Sequence, residues 1–182
     1  MPVQRDRPPQ PWANFLKDVD ARLTHPIELH CLGGFAVSLC YGMPRPTGDI
    51  DYILVRPQEQ QPFLEQVAGQ ESGLSKKYGI HFQYVTVCNL PENYEERLRE
   101  IFSLFCANIK LQILDPYDLA LSKLERNSPK DREDVEHLAR HVPLDPEKLR
   151  KIYQDEMRPY LVNEARHDLT LNLWLEFFFG QQ

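Results

Sequence analysis

Two aspartates separated by one apolar residue, Asp49 and Asp51, have the spacing in this chain that is best suited to chemistry. In an extended segment side chains alternate between two faces, so both carboxylates point one way while Ile50 points the other. Their backbone positions would lie about 7 Å apart, which lets both carboxylates reach shared divalent cations. The pair therefore predicts a binding place for Mg²⁺ (or Mn²⁺), which usually takes one or two carboxylates together with substrate phosphates.

A glycine pair, Gly33-Gly34, lies upstream of the aspartates, between an apolar strand candidate and a helical pattern. Backbone amides and the helix dipole attract anions at such a junction, and glycine lets the backbone approach a phosphate closely. Arg45 and Thr47 lie in the Pro- and Gly-rich loop between the two motifs. They either contact a nucleotide or only shape the loop, with Arg45 paired to an aspartate in the metal-free protein.

The elements that must position these residues follow from hydrophobic periodicity and from turn residues. A loose lead-in of about a dozen residues comes first. The largely apolar segment that follows Glu100, up to residue 105, gives no clear pattern. From Asp115 onward the pattern is helical, and Asp115-Pro116 and Asp145-Pro146 are good helix starts. The patterns predict helices over 12–24, 35–40, 58–68 and 92–100, and strands over 27–32, 49–55, 80–87 and 109–114.

This order of elements predicts an α+β fold, a small mixed sheet flanked by helices, with a helical C-terminal region. The boundary falls between a core of residues 1–114 and a helical region of residues 115–182. The helical region is either a separate domain or part of a single one.

Composition excludes several classes of protein. No apolar run approaches the roughly 20 residues needed to cross a membrane, and the first dozen residues lack the apolar segment of a signal peptide. The four cysteines are irregularly spaced, which favours small core residues over a zinc site or disulfides and predicts a cytoplasmic location. A net charge of −6 argues against non-specific coating of nucleic acid, although basic residues concentrate between Lys123 and Arg132.

The segment from Gly33-Gly34 through Arg45-Pro-Thr47-Gly-Asp49-Ile-Asp51 resembles the signature of the polymerase-β-like nucleotidyltransferase superfamily. Its form is especially similar to the branch of abortive-infection (AbiE-type) nucleotidyltransferase toxins and related minimal enzymes. A second segment, Asp118 to Arg126 followed by Lys130-Asp131-Arg-Glu-Asp134, resembles that branch's lysine motif. Two ordered motifs are more specific than one, and together they cover residues 29–140.

The resemblance implies metal-dependent transfer of a nucleoside monophosphate from a nucleoside triphosphate to an acceptor hydroxyl, with pyrophosphate leaving. The acceptor would be a tRNA end, a protein side chain or a small molecule, and the role could be that of the toxin in a toxin–antitoxin pair. By the same resemblance, Asp49 and Asp51 bind metal and are catalytic with Lys123, while the nucleotide contacts Gly33, Gly34, Arg45, Thr47 and Lys123, and Asp131 and Asp134 complete or order the site.

The chain departs from the superfamily pattern in one respect. The superfamily usually has a third acidic residue on a later strand, but the candidate strand here reads Gly79-Ile-His81-Phe-Gln83-Tyr-Val and has no carboxylate. His81 or Gln83 occupies that place, and a neutral glutamine cannot act as a base. Either Asp131 or Asp134 substitutes for the third acid, or the site binds nucleotide poorly and turns over slowly or not at all. In the last case the protein is a nucleotide- or partner-binding module without turnover.

Simpler interpretations apply to the same residues. Asp49 and Asp51 could be a solvated face of an edge strand, and Lys123 a solvated helix lysine. Asp131 and Asp134 could stabilise a helix dipole without any catalytic duty. An aminoglycoside-modifying enzyme is a third functional class that the overall acidity permits, although the basic stretch favours a nucleotide or RNA.

Overall fold

The structure is a computed structural model that describes residues 6–180 of the 182-residue chain. Residues 1–5 of the predicted lead-in lie outside the described residues. The chain divides into two compact units. The sheet unit contains the described residues up to Thr86 together with Leu98–Ile113, and the helical unit contains Val87–Arg97 together with the described residues from Leu114 onward.

The sheet unit is built on five strands with the order β3-β2-β1-β5-β4. Strand β2 runs antiparallel to β1 and parallel to β3, while β5 runs parallel to β1 and antiparallel to β4. The sheet is therefore mixed. Its strands are β1 (Ile27–Leu32), β2 (Asp49–Arg56), β3 (His81–Tyr84), β4 (Arg99–Ile101) and β5 (Ile109–Ile113), and its helices are α1 (Trp12–Asp20), α2 (Gly33–Tyr41), α3 (Gln61–Ala68) and α4 (Gly73–Tyr78), with a 3-10 turn at Gln58–Gln60.

Alternation along β2 gives this sheet one apolar face and one polar face at the start of the strand. Ile50 and Tyr52 are fully buried, whereas Asp49 and Asp51 are half-buried. On the apolar side Phe82 lies 5.7 Å from Phe15 of α1, measured between ring centroids. Burial of these aromatic side chains fixes which face of β2 points inward, and it leaves the two carboxylates on the other face.

A bulge interrupts the pairing of β1 with β2. His30 pairs with Leu54 but Cys31 pairs with Tyr52, so Ile53 is an extra residue on β2. The buried positions change phase there, from Ile50 and Tyr52 before the bulge to Val55 after it.

The helical unit contains four α-helices and short turns of other helix types. Asp115 and Asp145 cap the helices that they were predicted to begin, each accepting a hydrogen bond from a backbone amide of the first turn. The helices are α5 (Pro116–Leu121), α6 (Pro129–His141), α7 (Pro146–Ile152) and α8 (Glu164–Trp174), with 3-10 turns at Tyr94–Arg97 and Arg158–Tyr160 and π-helical turns at Tyr153–Met157 and Leu175–Phe179.

The α+β architecture with a helical C-terminal region is confirmed. The predicted charged helix over 92–100 is wrong: only Tyr94–Arg97 forms a 3-10 turn, and Arg99–Ile101 forms β4. Arg97 there is held by two carboxylates distant in sequence, a constraint that local helix propensity does not contain. The strand predicted over 80–87 ends at Tyr84, and α4 was not predicted. Within the part of the chain that the structure describes, no helix has both the length and the apolar character needed to cross a membrane.

Candidate functional site

The turn that joins β1 to α2 is shaped by Gly33. Its φ is +73°, a backbone conformation that residues with a side chain rarely adopt. A Cβ atom at this position would lie 2.2 Å from Oδ2 of Asp51. Glycine is required here because it allows both the left-handed turn and the close approach of the Asp51 carboxylate to the first turn of α2.

The second glycine and the loop residues surround the same turn. A Cβ atom on Gly34 would lie 3.6 Å from Oγ1 of Thr47 and 3.7 Å from Nη2 of Arg45, which are ordinary contact distances. Thr47 donates a hydrogen bond of 2.6 Å from Oγ1 to Oδ1 of Asp49. The structure therefore brings together in the sheet unit the glycine pair, Arg45, Thr47 and both aspartates, as predicted for a phosphate turn beside a carboxylate pair.

Strand β3 extends the carboxylate face by two side chains. In the parallel pairing of β2 with β3, Asp49 is in register with His81 and Asp51 with Gln83. Residues in register on neighbouring strands point to the same face, so Gln83 lies beside Asp51 where a third carboxylate would complete the row. Gln83 is exposed, and its Nε2 donates to the carbonyl oxygen of Tyr84 at 3.2 Å.

A pocket of about 410 Å³ lies next to this turn within the sheet unit. Ser38, Arg45 and Thr47 are among its polar lining, and Trp12, Leu39 and Met43 are among its apolar lining. Ser38 donates from Oγ to the carbonyl oxygen of Arg45 at 3.0 Å, which ties the loop to α2. Arg45 and Thr47 also border the glycine turn, so these two residues lie between the pocket and the face that carries the carboxylates.

The donor set suits Mg²⁺ only in company with a substrate. Among residues 6–180, no group of three or more His, Cys, Asp or Glu side chains is placed to hold a metal ion. Mg²⁺ is nevertheless commonly bound by only one or two carboxylates of a protein, and phosphate oxygens and water supply its remaining ligands. The two carboxylates on this face match the part of that ligand set that comes from the protein. Asp49 and Asp51 therefore fit a metal that arrives with a nucleotide.

The second predicted set, Lys123 with Asp131 and Asp134, forms a buried cluster in the helical unit. Helix α5 ends at Leu121, so Lys123 lies in the turn after the helix and not on it. The Nζ atom donates to Oδ2 of Asp134 at 2.7 Å and lies 3.8 Å from Oδ1 of Asp131. Lys123 is 4% exposed, Asp131 1% and Asp134 2%, so Lys123 balances one of the two buried carboxylates, while Arg126, which pairs with Asp131, balances the other.

Asp131 also has a capping role. Its carboxylate accepts hydrogen bonds from the backbone amide and hydroxyl of Ser128 and from Arg126, while Ser128 accepts from the Asp131 amide, which together form a capping box at the start of α6. Burial works to raise the pKa of Asp131, but the hydrogen bonds from Arg126 and Ser128 outweigh it and lower that pKa to about 2.

Sequence reasoning missed a further charge network in the helical unit. Arg97 donates from Nε and Nη2 to Asp118 at 2.9 and 2.8 Å, and from Nη1 and Nη2 to Glu156 at 3.1 and 2.8 Å. Burial raises the pKa of the fully buried Asp118, and the guanidinium opposes that rise. The three residues are too far apart in sequence for any spacing rule to have linked them.

The fold and the site together are those of a nucleotidyltransferase-like protein: a five-stranded mixed sheet flanked by helices, with Asp-x-Asp on β2 facing a glycine turn. A family model described as "Nucleotidyltransferase of unknown function (DUF6036)" matches residues 14–178, and the chain belongs to this family. Comparison with curated proteins and with solved structures gave no match.

Proposed function

We propose that this protein is a metal-dependent nucleotidyltransferase that moves a nucleoside monophosphate from a nucleoside triphosphate to the hydroxyl of an acceptor. One observation carries the proposal: the carboxylate of Asp51 lies against Gly33 at the start of α2, with Asp49 beside it on the same face. A metal bound by these carboxylates and a phosphate bound at the turn would thereby be adjacent. Membership of a family described as nucleotidyltransferases supports the kind of reaction.

Each group of the site then has a task. The amides at the start of α2 would hold the triphosphate, because they and the helix dipole favour negative charge. Asp49 and Asp51 would hold Mg²⁺, and the hydrogen bond from Thr47 would orient the Asp49 carboxylate. The bound ion would neutralise phosphate charge and lower the pKa of the attacking hydroxyl. The pocket that shares Arg45 and Thr47 with the glycine turn would receive part of the nucleotide or of the acceptor.

The family description names neither an acceptor nor a biological role, so both belong to the proposal alone. A tRNA end, a protein side chain or a small molecule each offers a hydroxyl. A toxin-like role in the cytoplasm follows only from the resemblance to the AbiE-type branch. Participation of Lys123, Asp131 and Asp134 in triphosphate binding likewise stays a prediction.

A second candidate function is a module that binds nucleotide without turnover. The observation that favours it is the register of β3, which puts Gln83 beside Asp51. An amide can hold a ligand through hydrogen bonds, but it cannot accept the proton of an attacking hydroxyl.

One assay separates the two functions. The protein is incubated with each labelled triphosphate, Mg²⁺ or Mn²⁺, and in turn total tRNA, cell protein or an aminoglycoside. Asp49→Asn should lower transfer at least about a hundredfold, since it removes a metal ligand worth several kcal/mol in the transition state. Asp6→Asn, the same chemical change at an exposed position of the sheet unit, is the matched control and should leave transfer unchanged.

Two outcomes would overturn the enzymatic proposal. Transfer that survives Asp49→Asn would remove the carboxylate pair from the mechanism. Nucleotide binding without transfer to any acceptor would favour the module, and in that case Gln83→Glu, which adds a third carboxylate beside Asp51, should bring transfer into the detectable range while Gln83→Leu should not.

A further inference from the structure

Helix α8 and the π-helical turn that continues it expose an apolar stripe. Leu169, Leu173 and Phe177 lie four residues apart and are 61%, 42% and 61% exposed. Side chains at this spacing lie one above the other on a helix, so the three form a continuous surface. The other side of the same helix is buried through Leu171 and Trp174. Exposed large apolar side chains grouped in this way commonly mark an interaction surface.

The apolar stripe has a positive charge at one end and a negative charge at the other. Arg166 is exposed near the start of α8, and Glu176 is exposed in the π-helical turn. Ala165, a small exposed residue, lies next to Arg166. The stripe therefore has a cation and a small side chain at one end, and an anion and a large aromatic ring at the other.

This arrangement is complementary to itself. When two copies of the helix pack antiparallel about a two-fold axis at the level of Leu171, each residue before Leu171 faces the residue equally far after it in the other copy. Leu169 then meets Leu173 of the partner subunit, and Arg166 meets Glu176 of the partner subunit. Ala165 leaves room for Phe177 of the partner subunit. A parallel pairing would instead place Arg166 opposite Arg166 of the partner subunit and Glu176 opposite Glu176 of the partner subunit, so that like charges would meet.

We propose that the exposed face of α8 is the interface of a homodimer with antiparallel pairing of this helix. The interface is isologous, as most homodimer interfaces are, because the same surface serves on both subunits. One helix pair buries an area at the small end of the range for stable complexes, so the dimer forms in a concentration-dependent way. The charge pair at each end sets the antiparallel orientation and disfavours other registers.

Charge reversal gives a direct test. By sedimentation velocity of the full chain, the wild type should shift from monomer to dimer as concentration rises. Arg166→Glu and Glu176→Arg should each weaken self-association at least tenfold, because each variant brings like charges together at both ends of the interface. Mixing the two variants should restore dimers, since every pair of facing charges is then opposite.

Arg166 also contacts Glu125, donating to its carbonyl oxygen and lying 3.7 Å from its carboxylate, so thermal unfolding of each variant is measured alongside. Leu173→Glu leaves that contact in place and should abolish the dimer by itself. A wild type that stays monomeric, single variants that dimerise like the wild type, or a mixture that fails to associate would each overturn the proposal. The measurement uses no nucleotide, so its result is independent of the proposed reaction.

Discussion

Two pairs of aspartates in this protein lie in opposite environments. In the sheet unit Asp49 and Asp51 are half-buried beside a glycine turn. In the helical unit Asp131 and Asp134 are almost fully buried against cationic side chains that neutralise them. Residue type and motif spacing thus indicate where charge is, whereas burial and compensation decide whether that charge stabilises the fold or is available to a ligand.

The largest expected effect comes from the buried cation. Lys123→Met should lower the free energy of unfolding by about 3–5 kcal/mol, because it removes the ammonium group that donates to the buried Asp134 carboxylate. Urea denaturation followed by circular dichroism measures the change. The matched comparison is Asp49→Asn in the sheet unit, which should shift the unfolding free energy by no more than about 0.5 kcal/mol.

The Lys123→Met variant also tests whether the buried cluster has only a structural role. If Lys123→Met unfolds like the wild type but no longer binds a triphosphate, the cluster belongs to the reaction and not to the scaffold. Replacing the pair together, as Lys123→Met with Asp134→Leu, should recover part of the lost stability, because no uncompensated charge then stays buried.

The pH dependence of stability should come partly from Asp131. Its pKa in the folded protein is about 2, below the ordinary value of 3.8, so the folded state holds the ionised form more strongly than the unfolded chain does. The resulting stabilisation, about 2 kcal/mol, is fully present above pH 4 and is lost as the pH falls toward 2. Unfolding free energies of the wild type and Asp131→Asn should therefore converge over that interval. A difference that stays constant with pH would contradict the assignment.

The smallest expected effect on stability comes from substitution in the glycine pair, where the two neighbouring glycines should respond differently. Gly33→Ala should cost about 1 kcal/mol through its left-handed backbone, and the new Cβ would displace the Asp51 carboxylate. We expect nucleotide affinity in the presence of Mg²⁺, measured by calorimetry, to fall about tenfold. Gly34→Ala, whose Cβ meets only ordinary contacts, should keep both stability and affinity. Equal effects at the two glycines would show that the close approach of the Asp51 carboxylate is not the reason why position 33 requires glycine.

Much of the sheet-unit site could be predicted from sequence because its members are near one another along the chain. Strand alternation places Asp49 and Asp51 together, and a glycine pair before an apolar helix indicates the turn. The capping role of Asp131 also has a local signal, Ser128 three residues earlier at the helix start.

What could not be predicted depends on contacts between distant residues. The burial of Lys123 needs α6 to bring Asp134 against the turn after α5, and no spacing rule contains that packing. Glu92 to Glu100 has the composition of a solvated helix, yet Arg97 is drawn to Asp118 and Glu156 and Arg99 pairs with Ile113 on the next strand. Strand β4 has three residues, which is too short for alternation to be detected.

The extra residue at Ile53 separates the two halves of β2 in phase. Because of it, Tyr52 and Val55, which are three residues apart, both point inward, opposite Cys31 and Leu29 of β1. Removing Ile53 would put Val55 two positions after Tyr52, where plain alternation keeps both side chains inward and leaves Asp49 and Asp51 on the other face. The deletion would instead remove the local bend and extra twist that a bulge gives a strand, so the extra residue bears on how the carboxylate end of β2 is aimed and not on which face the carboxylates take.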